Sequence, residues 1–403
     1  MNKARFAGRF TSVKMILPFA VATLIAMAVP NRVMAWQAAP VPTPDPKMLQ
    51  LEAIVTEAKQ QVAQCNWDAA IQTSDKALAL DDKYMPARVT RGIAFNGKGE
   101  YDNAMKEFDL VNAVGGREPD KLVNRADAYA NRSQSLYLKG QYLEAIDNAY
   151  FALLEKGDHV VAHCNRALAY VARQQYDKAI QSADRAINSD PKSAEAYSIR
   201  GYAYGAKGNA DQALKDENKA LELNPQLAEA FQRRAAAHAV KGDGLNAQKD
   251  LDQALTLKPN LVEALCDRAF LFGLKKELPK AMADLDRAIQ VNPRFAKAHY
   301  QKGLALLDQS QFDQAIKCFD EAIRIQEKNA SAYCYRGHAQ IGKLNAEKAV
   351  EDFTKAITYD PNLAPAYSGR NQALKKLGRS KEAAADLAKF KQMTAPPCIT
   401  PSR

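Results

Sequence analysis

AEAYSIRGYAYGAKGNADQALKDENKALELNPQL, residues 194–227, holds two helical patterns separated by one break. Tyr197, Gly201 and Tyr204 recur at three- and four-residue spacing, the mark of a single helix face, and Gly208-Asn209 interrupts the run. Ala213, Glu217, Ala220, Leu221 and Leu223 resume that spacing as far as Asn224-Pro225, where the proline disfavours helix in the residue before it. The stretch therefore reads as a helical hairpin closed by Pro225. Two helices approach closely only where side chains are small, which gives Ala213 and Ala220 a structural role.

Outward from this hairpin the pattern returns every 34 residues. Pro191, Pro225, Pro259, Pro293 and Pro361 keep the register, and Ala70, Ala104, Ala145, Ala179, Ala213, Ala247, Ala281, Ala315, Ala349 and Ala383 fill one position in ten successive units. The units begin near residues 51, 85, 126, 160, 194, 228, 262, 296, 330 and 364. A seven-residue insertion, 119–125, divides units one and two (51–118) from units three to ten (126–393). Strand-type alternation is absent, so the fold class is all-α.

With its period, its Tyr197/Gly201/Tyr204 face, its Ala213 and Ala220 positions and Pro225, the chain resembles the tetratricopeptide repeat family from residue 51 to about 393. The resemblance implies an α-solenoid of about ten helix-turn-helix units wound as a right-handed superhelix, with first helices on its concave side. It implies a groove that binds peptide segments or partner helices without a reactive centre. Positions five and nine of the units are the groove positions it suggests: Leu168, Ser198, Tyr202, Gln232, Cys266, Phe270, Tyr300, Leu304, Cys334 and His338. Asn131 and Asn165 are not accompanied by the lysine of a terminal-carboxylate clamp. One departure from the family stands out: eight of ten units carry arginine just before the small residue, as at Arg200. An arginine on a packing face needs an acid, and Asp216 and Asp184 are offered by second helices, so the reading is structural Arg–Asp pairing.

Outside the repeats, basic residues through Lys14 precede an apolar run, Met15–Val29, and small residues end at Ala35. Residues 1–35 thus read as a signal peptide cleaved near Ala35, 36–50 as a Pro-rich linker and 394–403 as a C-terminal tail, placing the protein in the periplasm or outside the cell. The formal charge of +10 is concentrated at the two ends. Five bases without an acid lie in 1–35, and eight bases against two acids lie in 364–403. The body is close to neutral, which argues against nucleic acid as a partner and leaves a membrane surface only to the basic last unit.

Chemistry is sparse. His159 and His163 stand one turn apart without a third ligand at suitable spacing, and Gly92–Lys98 lacks the serine or threonine of a phosphate loop. Carboxylates recur with the repeat, as on solvated helix faces, and the cysteines suit free thiols, with Cys318–Cys334 the one pair worth testing. No enzyme, metal or cofactor is expected. The function expected is a protein–protein interaction scaffold. The alternatives are a membrane-surface assembly factor using the last unit, or a regulatory subunit of an enzyme complex.

Overall fold

A computed structural model describes residues 45–116 and 118–394. Twenty helices and no strand occur among the described residues: α1 (Pro46–Ala63), α2 (Trp67–Leu80), α3 (Met85–Lys98), α4 (Tyr101–Asn112), α5 (Pro119–Leu138), α6 (Tyr142–Glu155) and α7 (Val160–Ala172) come first. Then follow α8 (Tyr176–Ser189), α9 (Ala194–Ala206), α10 (Ala210–Leu223), α11 (Ala228–Val240), α12 (Gly244–Leu257), α13 (Val262–Leu274) and α14 (Leu278–Val291). The series ends with α15 (Ala296–Asp308), α16 (Phe312–Ile325), α17 (Ala330–Gly342), α18 (Ala346–Tyr359), α19 (Ala364–Lys376) and α20 (Ser380–Thr394). Each odd-numbered helix opens a hairpin that the next one closes, so the architecture is an α-solenoid of ten helix-turn-helix units. From Gln50 onward the described repeats belong to one compact unit. The signal, most of the linker and the tail fall outside the described residues.

Two boundaries differ from the sequence reading. Helix α1 starts at Pro46, so Pro46–Gln50 are helical and not linker; proline costs nothing in a first turn, where its missing N–H would have no intrahelical partner. The 119–125 insertion, set between units two and three in the sequence reading, joins the first helix of unit three. It adds about two turns to the start of α5, and Arg125 there donates to the Val114 and Gly116 carbonyls and to Glu155.

All ten alanines of the shared position are buried. A second rule sizes the glycine-bearing hairpins: where the first helix has glycine at position eight, the facing residue of the second helix is large. A Cβ built on Gly92 would lie 2.5 Å from the Phe108 ring, on Gly303 2.6 Å from Phe319 and on Gly337 3.0 Å from Phe353. Where alanine stands at position eight, as at Ala235 and Ala269, the partners are Leu251 and Leu285, all buried. The core is filled by complementary volumes one hairpin at a time.

Charge ties several hairpins to their predecessors. Arg200 donates twice to Asp216 of its own hairpin, at 2.7 Å each, and once to Asp184 of the preceding unit at 2.8 Å. Arg268 repeats this with Asp284 and Asp252, and Arg336 with Asp352 and Asp320. Arg234 and Arg370 hold Asp250 and Asp386 in the same two-pronged way. The five aspartates held within their own hairpins, Asp216, Asp250, Asp284, Asp352 and Asp386, are mostly buried, which corrects the picture of carboxylates confined to solvated faces. The pairing fails at Arg166, because Tyr150 and Ser182 occupy the two acid positions; its guanidinium meets the His163 ring instead, at 3.2 Å.

Candidate functional site

From α3 onward each first helix touches the next first helix, while among the described residues no second helix touches the next second helix. First helices that crowd together while second helices spread apart put the first helices on the inner side of the bend. Two clefts open along this row.

The larger, about 480 Å³, lies between α13, α14 and α15 and reaches α17. Phe270, Leu274, Leu278, Leu304, Leu307 and Tyr335 line it, with Gln301 and Asp308 as its polar groups. Phe270 is 54% exposed and Leu274 66%, large apolar surface left open to water at the mouth of an apolar cleft. The smaller, about 230 Å³, lies between α9, α10 and α11 and is lined by Gly201, Tyr202, Gln232, Arg233, Ala237 and Val240. Gln232 donates to Asp267, which also accepts from Lys297 at 2.6 Å, so a polar relay runs from α11 through α13 to α15 between the two clefts. Burial works against the Lys297 ammonium, but Asp267 outweighs it and holds its pKa above the ordinary value.

The structure brings Tyr202, Gln232, Phe270 and Leu304 to these clefts and sends the other groove positions elsewhere. Tyr300 is half-buried with its ring 6.1 Å from Phe319 and 5.9 Å from Tyr335, and His338 packs edge-on against Phe353 at 5.0 Å, its pKa lowered by burial. Leu168 packs on the core around Cys164 and Ile199. Ser198, Cys266 and Cys334 are fully buried, so at these three units position five is a helix–helix contact, while Gln232 keeps the same position open to the smaller cleft. Sequence reasoning missed Leu274, Leu307, Arg233 and Tyr335. They stand at positions six, twelve and thirteen, one and two turns along the same faces as the residues it chose.

The remaining candidates are accounted for locally. His159 bonds Asp127 through Nε2 at 2.9 Å and caps α7, while His163 reaches the Gly157 carbonyl at 3.1 Å and burial pushes its pKa down to about 4. Gly92–Lys98 is the body of α3. Five described cysteines are unpaired, Cys318 and Cys334 among them, and burial pushes the Cys164, Cys266 and Cys334 thiols up to about 12, so they are poor nucleophiles. Among the described residues no group of His, Cys, Asp or Glu could hold a metal ion, and no helix is long and apolar enough to cross a membrane. Lys375, Lys376, Lys381, Lys389 and Lys391 are exposed on the last hairpin.

A row of crowded first helices bearing open apolar clefts defines a repeat solenoid. Tetratricopeptide repeat models match residues 296–329, 194–227 and 330–363, and a related TPR repeat model matches 167–208. The chain is a tetratricopeptide repeat protein, and its fold is that of a protein–protein interaction scaffold. No curated protein matches its sequence. Among solved structures it is similar to the Cut9–Hcn1 hetero-tetramer of the APC/C, at 12% identity and a TM-score of 0.60, with 86% of this chain and 82% of that one covered. That likeness shows the fold alone. A tetratricopeptide repeat protein from Parabacteroides merdae is 19% identical over 62% of this chain and 98% of its own, with a TM-score of 0.45. YrrB, described as a TPR protein with an unusual peptide-binding site, is 23% identical over 47% of this chain and 98% of its own, at a TM-score of 0.36.

Proposed function

We propose that the protein is a non-catalytic scaffold of an exported compartment that holds an extended peptide segment or a partner's helix along its row of first helices. The observation that carries this reading is the run of exposed apolar residues on three successive first helices, Tyr202, Val240, Phe270 and Leu274, each beside a cleft. Open apolar surface of this kind is costly in a solitary soluble chain and gains when a partner covers it. Export is supported by the basic and apolar pattern of residues 1–35.

Capture of partners by the full chain, compared with a Tyr202→Ala/Phe270→Ala/Leu304→Ala variant of unchanged helicity, tests the groove. The expected result is a prey lost only in the variant and cross-linked to α9, α13 or α15. Retention of every prey, or cross-links confined to second helices, overturns it. The mass of the mature chain tests export: a protein beginning near Trp36 is expected, and an intact Met1 start in the cytoplasm contradicts it. Turnover of a substrate by the purified chain would remove the word non-catalytic.

A further inference from the structure

Unit five breaks the rule that fills the hairpin cores. Where units two, eight and nine place Phe108, Phe319 and Phe353 against a position-eight glycine, unit five places Glu217 against Gly201. The Glu217 side chain is fully buried, and among uncharged groups only the Ser198 hydroxyl acts on its carboxylate oxygens. A Cβ on Gly201 would lie 2.8 Å from Glu217 Oε1, and Gly201 is itself part of the smaller cleft's wall, so the carboxyl lies directly behind that wall.

Arg233 faces the same cleft from α11. Its guanidinium stacks on the Tyr202 ring at 5.1 Å and donates through Nη1 to Ser198 Oγ at 2.9 Å, and no carboxylate among the described residues stands at ion-pairing distance from it. Its neighbour Arg234 is engaged by Asp250 through two bonds, so the doublet has one committed arginine and one whose fork is still open. Apart from Glu217, two acids on the flanking first helices are already used: Glu229 accepts from Lys258 at 2.8 Å, and Asp267 from Gln232 and Lys297. Glu195 and Glu263, at the starts of α9 and α13, are exposed, and Tyr137 of α5 lies within electrostatic reach as a phenol that burial pushes up to about 12, hence neutral. A half-buried, aromatic-backed guanidinium with an open fork at the edge of a cleft is matched to a planar anion.

Resting on the groove reading, we propose that Arg233, stacked on Tyr202 and tied to Ser198, receives one carboxylate side chain of the bound segment, so that the ligand is an acidic–apolar peptide whose Glu or Asp sits on Arg233 and whose apolar residues continue toward Phe270. The buried acid behind the wall sets the pH range of this site. Burial pushes Glu217 up to about 8, with Arg233, Ser198 and Arg234 acting against that shift and Asp216 adding to it. Below that pH Glu217 is neutral and Arg233 is uncompensated. Above it Glu217 becomes an internal anion that weakens the attraction for an external one.

Binding of two rhodamine-labelled, C-terminally amidated octapeptides of Leu and Ser, one with a central Glu and one with Gln in its place, to the full chain tests the proposal. Amidation removes the terminal carboxylate as a source of binding. At pH 6.5 the Glu peptide is expected to bind about tenfold more tightly, a preference abolished in Arg233→Gln, retained in part in Arg233→Lys, and shrunk at pH 9 in the wild type but not in Glu217→Gln. Equal affinities at pH 6.5, survival of the preference in Arg233→Gln, or no saturation by the Glu peptide up to about 1 mM overturns the anion site. If both peptides bind equally and Phe270→Asp weakens both, the groove stands and only the anion site falls. Affinities of both peptides that Phe270→Asp leaves unchanged sink the apolar groove instead.

Discussion

Units five and nine share a backbone, a position-eight glycine and an Arg–Asp clasp, yet one encloses a carboxyl where the other encloses a phenyl ring. In unit nine Phe353 is fully buried and fills the space that Gly337 leaves. In unit five Glu217 fills a similar space with methylenes and then has only the Ser198 hydroxyl to serve its two oxygens. The slot is therefore specified by volume, and the polarity of its occupant is free to serve another purpose at a cost in stability. In a solenoid that cost stays local, since each unit leans only on its neighbours.

The sharpest way to break the comparison is to empty both slots. Phe353→Ala should lose about 3–5 kcal/mol, as a buried phenyl leaves a cavity that flanking helices cannot close. Hydrogen exchange should accelerate first in α17 to α19. Glu217→Ala should lose much less, and an equal loss would refute a slot specified by volume alone.

The second contrast is in pH. An acid whose folded-state pKa is raised from 4.5 to about 8 keeps its proton in the folded chain while the unfolded chain has released it. Unit five should thus lose stability as pH climbs from about 4.5 to 8, by at most about 1.4 kcal/mol per pH unit, with no further slope from this group outside that window. Glu217→Leu should abolish this slope and gain a few kcal/mol at pH 9, where burial of the charged form is costliest. Denaturant melts of unit-five reporters at pH 5, 7 and 9 check this, and parallel slopes in variant and wild type would refute a neutral buried carboxyl.

Smaller again is the difference between the two ends of one clasp. Arg268 holds Asp284 by two bonds at 2.8 Å in a mostly buried setting, and Asp252 by one bond at 2.9 Å, with the Asp252 side chain half exposed. Asp284→Ala should lose about 1.5–3 kcal/mol, because it strands a charge inside the hairpin. Asp252→Ala should lose less than about 1 kcal/mol, and its effect should fade in molar salt. Equal losses would show that the tie between units carries as much as the tie within one.

How far the sequence reveals this molecule depends on whether a feature repeats. The hairpins and the clasp were readable because Pro225, Ala213, Arg200 and Asp216 have counterparts at fixed intervals, so spacing alone placed them on facing helices. The clefts were not, since their mouths depend on how much one first helix rotates against the next. That rotation buries position five, as at Ser198 and Cys266, and opens positions twelve and thirteen, as at Leu307 and Leu274. Glu217 was visible as a residue of the second helix's packing face, but whether a carboxyl there finds a partner is a property of the folded neighbourhood.

The same comparison of occupants on one backbone applies to the turns. All ten hairpins turn through a residue in the left-handed region: Gly99, Gly140, Gly208, Gly242 and Gly378 in five, Cys65, Gln174, Lys276, Ser310 and Leu344 in the others. An L side chain costs about 1–2 kcal/mol in this conformation, whereas glycine adopts it freely and loses about 0.5–1 kcal/mol through greater freedom when unfolded. Leu344, with φ at +62° and 80% of its surface exposed, has little packing to forfeit. Leu344→Gly should therefore gain up to about 1 kcal/mol, and Gly208→Ala should lose a comparable amount. If both substitutions leave the melting temperature unchanged, then turn strain is absorbed by the flanking helices, and the backbone of a glycine turn and of a leucine turn differ in ways their shared φ conceals.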